Sequence, residues 1–463
     1  MTDPTSAPET FDIVILGGGS GGYACALRAV QLGKSVALVE KDLLGGTCLH
    51  RGCIPTKAFL HAAEIADSAR DSEKFGVKAS FDAIDMPGVL KYKDGVVARL
   101  HKGLQGLVKA GGITYVQGTG KVVARDTVEV AGRRLQGAHL VLATGSTSKT
   151  LPGLEIGGRI LTSEQALALE TVPKRVVVLG GGVIGCEFAS VYRSFGAEVT
   201  IVEALPRLVA LEDEAISKTL ERAFKKRKIV AKTGVRFGGA TQTDDAVTVT
   251  LESGESIEAD LLLVAVGRGP VTAGLGYEEI GVTMERGFVL ADERCRTNVE
   301  GVHAVGDIVP GLQLAHRGFA QGILVAEDIA GLPVEPLVES SIPRVTYCDP
   351  EIASVGLSEA AAVELHGADA VSTVEFNLGG NGKSQMLATS GFVKVVRRKD
   401  GPVLGIHMIG ARMGEQVGEA QLIVGWEALP EEVAQFIHAH PTQNEALGEA
   451  HLALAGKPLH AHP

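Results

Sequence analysis

The chain has 463 residues, of which 59 are glycine and 4% are aromatic, and its formal net charge is −11. This length allows about three domains, and a glycine-rich, aromatic-poor composition suits an α/β protein rather than a fibrous or repeat protein. An acidic chain repels phosphate backbones, so we expect no nucleic acid partner. No stretch reaches the roughly 18 apolar residues of a membrane span, and the first ten residues do not resemble a signal peptide. A cytoplasmic protein with no membrane partner is expected.

The first predicted element is a βαβ unit that begins with an apolar strand at residues 13–16. The strand enters a glycine turn in which Gly17 allows the tight turn, Gly19 lets a pyrophosphate approach the backbone, and Gly22 lets the helix pack on the strand. The helix would point its N-terminal N–H groups at the phosphates. Glu40 ends the second strand, where a carboxylate would accept hydrogen bonds from an adenosine ribose. The unit therefore predicts a bound dinucleotide.

Two cysteines, Cys48 and Cys53, follow this unit in one glycine-rich loop. Thiols this close can form and break a disulfide without a large chain movement. Pro55 suits the first turn of a helix, and the positive end of a helix stabilises a reactive thiolate. Two buried thiols or half of a metal site are the alternatives. A zinc site wants about four ligands and the chain has no second cysteine pair, so no metal is expected.

The second nucleotide-binding unit repeats the first with the same spacing. Gly180, Gly182 and Gly185 correspond to the three glycines of the first turn, and the second strand again leads to an acid, Glu203. Two matched copies indicate two bound dinucleotides. The Glu203 carboxylate would repel a 2′-phosphate and so favours NAD over NADP, although Arg207 could in principle accept that phosphate.

Two later segments contain further candidates. Residues 302–305 form a short predicted strand followed closely by Asp307, and an acid at the carboxyl end of a strand is well placed for a polyol hydroxyl, unless the segment is an ordinary turn. Near the C-terminus, His440 is followed by Glu445. Exchange with a dithiol needs a proton acceptor, and a histidine paired with a carboxylate can supply one. His438 is expected to be a bystander.

With these motifs the chain resembles the flavoprotein disulfide reductases, the pyridine nucleotide-disulfide oxidoreductase family, over nearly its whole length. Within that family it is most similar to the members that oxidise protein-bound dihydrolipoamide. The resemblance implies FAD at the first glycine turn and NAD at the second, with Asp307 on the ribitol chain. The further cofactor-binding residues that it implies are Lys57, Gly145 and Ala315 for FAD, and Glu187 and Gly267 for NAD.

The resemblance also implies the catalytic residues. Cys48 and Cys53 would form a redox-active disulfide, with Cys48 as the thiol that exchanges with substrate and Cys53 as the thiolate next to the flavin. His440 would be the base, and Glu445 would orient it and stabilise its charged form. The base would reach the cysteines across a dimer interface.

Two charged residues complete the implied catalytic set. Lys57 would lie near the flavin edge, and Glu187 would pair with it and border the nicotinamide. A solvated helix lysine and a first-turn helix acid are the alternatives for these two residues.

The implied fold class is α/β, with two Rossmann-like dinucleotide-binding domains and an α+β C-terminal dimerisation domain. The FAD-binding domain is expected in two pieces, residues 1–150 and 276–345. The NAD-binding domain would occupy residues 151–275, and the interface domain residues 346–463.

The implied activity is the NAD-dependent oxidation of dihydrolipoamide by a homodimer that serves the lipoyl domains of 2-oxo acid dehydrogenase or glycine cleavage complexes. One alternative is a reductase of a low-molecular-weight disulfide of the glutathione or mycothiol type, which usually uses NADPH, a cofactor that Glu203 disfavours. A non-catalytic docking subunit is the alternative from another class, but it would be expected to have lost Cys48, Cys53 or His440. Departures from the family wording at His50, Arg51 and Thr56 put the substrate preference in doubt more than the redox chemistry. Gln321 replaces an acid often found in the helix at Ala315 and His316, and the resemblance assigns no effect to this change.

Overall fold

The structure is a computed structural model that describes residues 7–460. The chain forms two compact units. Within the described residues, the first unit comprises 7–58, 87–149 and 267–339, and the second comprises 59–86, 150–266 and 340–460. The second unit contains both the predicted NAD-binding segment and the C-terminal segment, so the division into three domains stays a prediction.

The described residues form strands throughout both units. In chain order they are β1 (Glu9–Leu16), β2 (Val36–Glu40), β3 (Thr114–Gln117), β4 (Lys121–Ala124), β5 (Thr127–Val130), β6 (Arg133–Leu142), β7 (Ser146–Ser148), β8 (Ile160–Thr162), β9 (Arg175–Leu179), β10 (Glu198–Val202), β11 (Ile229–Lys232), β12 (Phe237–Gln242), β13 (Val247–Leu251), β14 (Ser256–Ala259), β15 (Leu261–Val264), β16 (Arg268–Pro270), β17 (Met284–Glu285), β18 (Phe288–Val289), β19 (Val302–Ala304), β20 (Arg344–Thr346), β21 (Glu351–Gly356), β22 (Val371–Asn377), β23 (Phe392–Arg398) and β24 (Val403–Gly410).

The helices differ widely in length, from a single turn to 25 residues. In chain order they are α1 (Ser20–Gln31), α2 (Gly46–His50), α3 (Cys53–Asp71), α4 (Met86–Ala110), α5 (Ser163–Ala166), α6 (Val183–Phe195), α7 (Glu214–Lys226), α8 (Ala315–Ile329), α9 (Glu359–His366), α10 (Gly382–Met386), α11 (Val417–Gly425), α12 (Pro430–Val433) and α13 (Glu445–Leu454).

The first unit is organised around a seven-stranded sheet with the order β3-β2-β1-β6-β5-β4, in which β19 also pairs with β6. Strand β1 pairs in parallel with β2 and β6, and β19 pairs in parallel with β6. The registers bring Leu16, Val39, Leu142 and Ala304 to one edge, so the carboxyl ends of four strands meet where the first glycine turn begins. This is the edge at which open α/β sheets bind ligands.

Helices α1 and α8 pack closely against each other in the first unit. A Cβ added to Gly322 on α8 would lie 2.3 Å from the carbonyl oxygen of Gly21 on α1. Since real Cβ atoms do not approach an oxygen so closely, glycine at this position permits the contact. The two helices cover one face of the sheet, and the strands beneath them are continuous apolar runs, as expected for a sheet buried on both faces.

The second unit contains a parallel sheet of order β11-β10-β9-β15-β8 and a three-stranded antiparallel sheet, β12-β13-β14. Its C-terminal part is a five-stranded antiparallel sheet of order β20-β21-β24-β23-β22, on which α11 and α13 pack. The predicted fold class, two Rossmann-like βαβ folds with an α+β C-terminal part, is confirmed. Within residues 7–460, no helix is both long enough and apolar enough to cross a membrane.

Candidate active site

The first glycine turn joins β1 to α1. Gly17 has φ +112°, in the region that favours glycine. A Cβ on Gly22 would lie 1.8 Å from the Gly17 carbonyl oxygen, so only glycine lets the helix start so close to the strand. Apart from Gly19 and its two chain neighbours, no described residue has an atom within 4 Å of the position that a Cβ on Gly19 would take. Gly19 caps α1, and the open space beside it fits a pyrophosphate at the helix N-terminus.

The second glycine turn reproduces this geometry between β9 and α6. Gly180 also has φ +112°, and a Cβ on Gly185 would lie 1.9 Å from the Gly180 carbonyl oxygen. Gly182 caps α6, and apart from Gly182 and its two chain neighbours no described residue has an atom within 4 Å of the position that its Cβ would take. The two turns therefore offer two equivalent places for a dinucleotide pyrophosphate.

Each glycine turn is accompanied by an acid at the end of the next strand, Glu40 after the first turn and Glu203 after the second, and both acids are held in the same way. Glu40 accepts hydrogen bonds from the Gly18 amide at 2.7 Å and the Asp42 amide at 2.9 Å. Glu203 accepts from the Gly181 and Leu205 amides, both at 2.6 Å. Each carboxylate is thus fixed beside its glycine turn, where the ribose of a bound dinucleotide would lie.

Arg207, four residues after Glu203, is hydrogen-bonded to backbone carbonyl oxygens. Its Nη2 atom donates to the carbonyl oxygens of Ala210 at 2.8 Å and Glu212 at 3.1 Å. One nitrogen of this guanidinium is therefore occupied within the chain, and the preference for NAD over NADP stays a prediction that rests on Glu203.

The cysteine segment lies directly on the first glycine turn. The Gly45 amide donates to the Gly18 carbonyl oxygen at 2.9 Å, and a Cβ on Gly46 would lie 2.8 Å from the Cα atom of Gly19. Cys48 lies on α2, a short helix where a loop was expected, and Cys53 is the first residue of α3. The glycines before the cysteines therefore hold the sulfurs beside the dinucleotide turn.

The two cysteine side chains are joined by a hydrogen bond and not by a disulfide in this structure. The hydrogen bond to Cys53, followed by burial, raises the pKa of the Cys48 thiol, while the positive charge of Lys57 opposes this shift. A proton kept on Cys48 and shared with Cys53 stabilises negative charge on Cys53. The N-terminus of the 19-residue helix α3 acts in the same direction at Cys53.

Asp307 and Gly145 meet at the strand-end edge of the first unit. Asp307 Oδ2 accepts a hydrogen bond from Ser146 Oγ at 2.5 Å, and Arg268 Nε donates to the same Ser146 oxygen at 2.7 Å. Gly145 lies at the start of the β7–β16 pair with φ +71°. Gly267, expected at the NAD site, precedes β16 and belongs to the first unit, so its part in the NAD site stays a prediction.

Ala315, which the resemblance implies for FAD binding, is the first residue of α8. The helix packs beside the turn Gly306–Ile308, which contains Asp307. Gln321, which departs from the family wording, is buried on α8 and its Oε1 accepts a hydrogen bond from the Gly306 amide at 2.7 Å. The amide side chain thus replaces an acid as the acceptor that holds the Gly-Asp segment.

Glu187 is buried on α6, two residues after Gly185, with 2% of its surface exposed. Its Oε1 atom accepts a hydrogen bond from the Tyr347 amide at 3.0 Å. A buried carboxylate needs such partners, and this contact ties α6 to the segment after β20. Glu187 lies beyond the first turn of α6, which contains no acid, so the alternative of a first-turn helix acid does not describe its position.

His440 and Glu445 form the expected pair. His440 Nδ1 lies 2.7 Å from Glu445 Oε1, and Glu445 Oε2 accepts a hydrogen bond from the Thr442 amide at 2.8 Å. Burial favours a higher pKa for Glu445, but the Thr442 amide and His440 outweigh it and lower the pKa. The His440 side chain is 77% exposed, so its second nitrogen is open to a reaction partner.

The neighbouring histidine has a carboxylate of its own. His438 Nε2 lies 2.9 Å from Glu419 Oε1, and this hydrogen bond raises the pKa of His438. Only 10% of its side chain is exposed, which agrees with a structural role.

Three polar residues of the site escaped the sequence analysis. Ser146 and Arg268 hold Asp307 but lie 122 positions apart, so no local motif joins them. Tyr23 follows the first glycine turn, and burial raises its pKa to about 12, with Cys48 and Cys53 adding to the shift. An aromatic residue directly after the turn was a signal that could have been noted. Within residues 7–460, no cluster of three or more His, Cys, Asp or Glu side chains is arranged to hold a metal ion.

Comparison with known proteins identifies the family. The family model for pyridine nucleotide-disulphide oxidoreductases matches residues 11–322, and the model for the dimerisation domain of the same family matches residues 342–451. A dihydrolipoyl dehydrogenase of Bacillus subtilis is 40% identical and aligns over 97% of this chain and 99% of its own length. A mitochondrial dihydrolipoyl dehydrogenase of Pisum sativum is 39% identical over 98% of this chain and 93% of its own length.

A solved structure agrees in fold over almost the whole chain. LpdA of Mycobacterium tuberculosis superposes with a TM-score of 0.89 at 26% identity, and the match covers 96% of this chain and 99% of that one. The two glycine turns, the cysteine pair and the histidine–glutamate pair described above all lie within the regions that the two family models match. The chain therefore belongs to the pyridine nucleotide-disulphide oxidoreductase family.

Proposed function

We propose that the chain catalyses the NAD-dependent oxidation of protein-bound dihydrolipoamide to lipoamide, with FAD as its cofactor. The observation that carries this proposal is the Cys48–Cys53 pair, with Cys48 on α2 and Cys53 at the N-terminus of α3, held on the first glycine turn. The chain in which it occurs is 40% identical to a curated dihydrolipoyl dehydrogenase over nearly its full length. The chain is therefore an enzyme, a flavoprotein oxidoreductase that uses FAD and NAD.

The residues present fit these two groups. The first turn, with Gly17, Gly19, Gly22 and Glu40, would hold the adenosine diphosphate part of FAD, and Asp307 with the N-terminus of α8 would hold its ribitol and pyrophosphate. The second turn, with Gly180, Gly182, Gly185 and Glu203, would hold NAD. When bound, the flavin would pass an electron pair from the dithiol to the nicotinamide.

The two cysteines are proposed to have different tasks. A substrate thiolate attacks Cys48 Sγ of the closed disulfide, so that a mixed disulfide forms and Cys53 leaves as a thiolate. The second substrate thiol then attacks the substrate sulfur and releases the cyclic disulfide product, and Cys48 takes up a proton. The hydrogen bond between the two sulfurs supports this order, because it places the proton on Cys48 and the negative charge on Cys53.

His440 is proposed as the base that removes the proton from the substrate thiol. Its Nδ1 is held by Glu445, which leaves Nε2 to accept the proton and stabilises the imidazolium that results. The resemblance to the family leads us to propose that the Cys48 site is served by His440 of the partner subunit. Lys57 and Glu187 are proposed to border the flavin and the nicotinamide.

The chain is expected to act as a homodimer. Residues 342–451 match the dimerisation domain of the family. The same segment carries large apolar side chains that the chain leaves open to solvent: Leu422 is 49% exposed, Trp426 76%, Phe436 73% and Ile437 98%. Apolar surface of this size marks an interaction site. We further propose the FAD-binding, NAD-binding and interface domains at the boundaries predicted above, lipoyl domains as partners and a cytoplasmic location.

The proposal is tested by a substrate panel on the flavin-loaded protein. Turnover is measured with dihydrolipoamide and NAD, with dihydrolipoamide and NADP, and with oxidised glutathione and NADPH. We expect activity in the first pair and only weak activity in the others. Cys48→Ser and Cys53→Ser should each abolish it, whereas Cys25→Ala, at a buried cysteine on α1, should retain it. Efficient glutathione reduction would support the alternative reductase, and no turnover in any pair would support the docking subunit.

A further inference from the structure

A pocket of about 310 Å³ lies in the first unit, away from the residues assigned above. It is formed by one end of β6, the segment that leads into β19, and the C-terminal end of α8. Its titratable lining residues are His139, Arg296, Glu300, His303 and Asp328. No part of the proposed reaction uses any of them.

Two histidines face each other across this pocket. His139 Nδ1 and His303 Nε2 are 3.3 Å apart, although the residues are 164 positions apart in the chain. This separation is at the long end of the range for a hydrogen bond between ring nitrogens. His303 is 5% exposed, and no described residue forms a hydrogen bond with its Nδ1 atom. The buried His303 ring therefore has His139 as its one hydrogen-bond partner among the described residues.

The distance of 3.3 Å between the two ring nitrogens also matches the distance between two ligand atoms of a tetrahedral metal site. Zinc binds imidazole nitrogen at about 2.0–2.1 Å. If both nitrogens bind one ion at that distance, 3.3 Å between them corresponds to an N–metal–N angle of about 104–111°. We propose that His139 and His303 are the two protein ligands of a divalent transition-metal site of the zinc class, with water molecules of the pocket completing the coordination.

The electrostatic surroundings favour the ligand form of both rings. Burial lowers the pKa of His303 to about 4 and also lowers the pKa of His139. The rings are therefore neutral near pH 7, which is the form that binds metal. The negative charge of Asp328 acts on both rings, because it opposes the lowering of the pKa of His303 and of His139.

The two arginines near the pocket, Arg294 and Arg296, are already paired with Asp328. Arg296 donates to both carboxylate oxygens of Asp328, at 2.8 and 2.7 Å, and Arg294 donates to one of them at 3.3 Å. Glu300 adds a further carboxylate to the lining of the pocket. Lys34 lowers the pKa of His139, and Asp12 raises it. Ion pairing of the arginines reduces the repulsion between them and a bound cation. An acid close to the ligands, here Asp328, raises the basicity of the histidine rings.

The site is separate from the redox cysteines. Helix α8 contacts the first glycine turn near Gly318, where a Cβ would lie 3.3 Å from the Gly21 amide nitrogen. Asp328 is ten residues further along the helix, which corresponds to about 15 Å at 1.5 Å per residue. Metal binding at the histidines can therefore be measured apart from metal binding at the thiols.

The test uses the flavin-loaded protein with the cysteine disulfide closed, so that the redox thiols cannot bind metal. Zn²⁺ binding is measured by competition with a chromophoric chelator, and Cu²⁺ binding by electron paramagnetic resonance, in which two coordinating nitrogens give a distinctive hyperfine pattern. We expect one Zn²⁺ per chain and a two-nitrogen Cu²⁺ signal. His139→Asn and His303→Gln should each weaken Zn²⁺ binding by more than about tenfold, because the loss of a residue that only supports a metal ligand already weakens metal affinity by about that factor.

Controls separate this site from other histidines and from the activity. His61→Asn, at an exposed histidine of α3, should bind Zn²⁺ like the unaltered protein. Turnover of His139→Asn with dihydrolipoamide and NAD should be unchanged, because the site lies outside the catalytic residues. The inference is overturned if the unaltered protein binds no Zn²⁺, or if His139→Asn binds it with unchanged affinity. His139 is half-buried, so this variant remains informative even if His303→Gln does not fold.

Discussion

Acidification should destabilise the second unit through His451. This residue lies on α13 with none of its surface exposed, and its Nδ1 contacts the Leu447 carbonyl oxygen at 2.6 Å. Its Nε2 atom is buried without a hydrogen-bond partner among the described residues. Burial lowers the pKa of His451 to about 4, whereas an unfolded histidine titrates near 6.5. Glu445, which holds the proposed base, is the first residue of the same helix.

The direction of the effect follows from these two values. Above pH 6.5 the ring is neutral in both states, so it adds no pH dependence. Below pH 6.5 the unfolded chain takes up the proton first, so the free energy of unfolding falls as the pH decreases and stops falling below pH 4. A difference of about 2.5 units corresponds to roughly 3 kcal/mol at full protonation, and to about 2.5 kcal/mol by pH 4.5.

The assay is urea unfolding of His451→Met at pH 7.5 and pH 4.5. Methionine is of similar size and does not titrate, so the variant should lose about 2.5 kcal/mol less than the unaltered protein between the two pH values. His61→Met should follow the unaltered protein, because the His61 side chain is 55% exposed. Equal losses in His451→Met and the unaltered protein would refute the argument. His303, with a pKa of about 4, should add a loss of similar size in the first unit.

Three further predictions concern the active site. Cys48→Ser and His440→Gln chains, each inactive alone, should regain about a quarter of the activity when they are mixed and exchange subunits, if each site uses both subunits of a two-fold dimer. About half of the dimers are then mixed, and one of the two sites in each mixed dimer is intact. If each site uses one chain, no activity returns. Gly22→Ala should abolish flavin binding, measured by the ratio of flavin to protein absorbance, because its Cβ would lie 1.8 Å from a carbonyl oxygen, whereas Gly103→Ala meets open space and should retain it. Glu203→Gln should raise kcat/KM for NADP relative to NAD by on the order of tenfold, since the repelling charge is removed; an unchanged ratio would contradict the assignment.

The motifs that sequence analysis located correctly are local. Each glycine turn, its strands and its acid lie within one short stretch, where residue type and spacing determine the backbone. The His440–Glu445 hydrogen bond spans only five positions, so its geometry also follows from the local sequence. The division between Cys48 on α2 and Cys53 on α3 was not expected, because a helix of five residues has little periodicity to detect.

Contacts between distant segments could not be predicted in this way. Ser146 with Arg268 and His139 with His303 join segments more than a hundred positions apart, and only the pairing of β7 with β16 and of β19 with β6 brings them together. Arg207 was a possible phosphate ligand by spacing alone, and the carbonyl oxygens that hold it belong to an irregular segment. Long-range placement of this kind depends on strand order, which single residues do not encode.

The pairing of β6 with β19 has a consequence for synthesis on the ribosome. Strand β6 ends at Leu142, but its partner β19 and helix α8 emerge only after the segment 150–266 has been translated. At roughly 5–20 residues per second, the nascent first unit waits on the order of ten seconds with one edge of its sheet uncovered. The intervening segment completes its own parallel sheet during that interval. The first sheet, with six of its seven strands already made, is therefore open to wrong strand pairing beside β6 until β19 is synthesised.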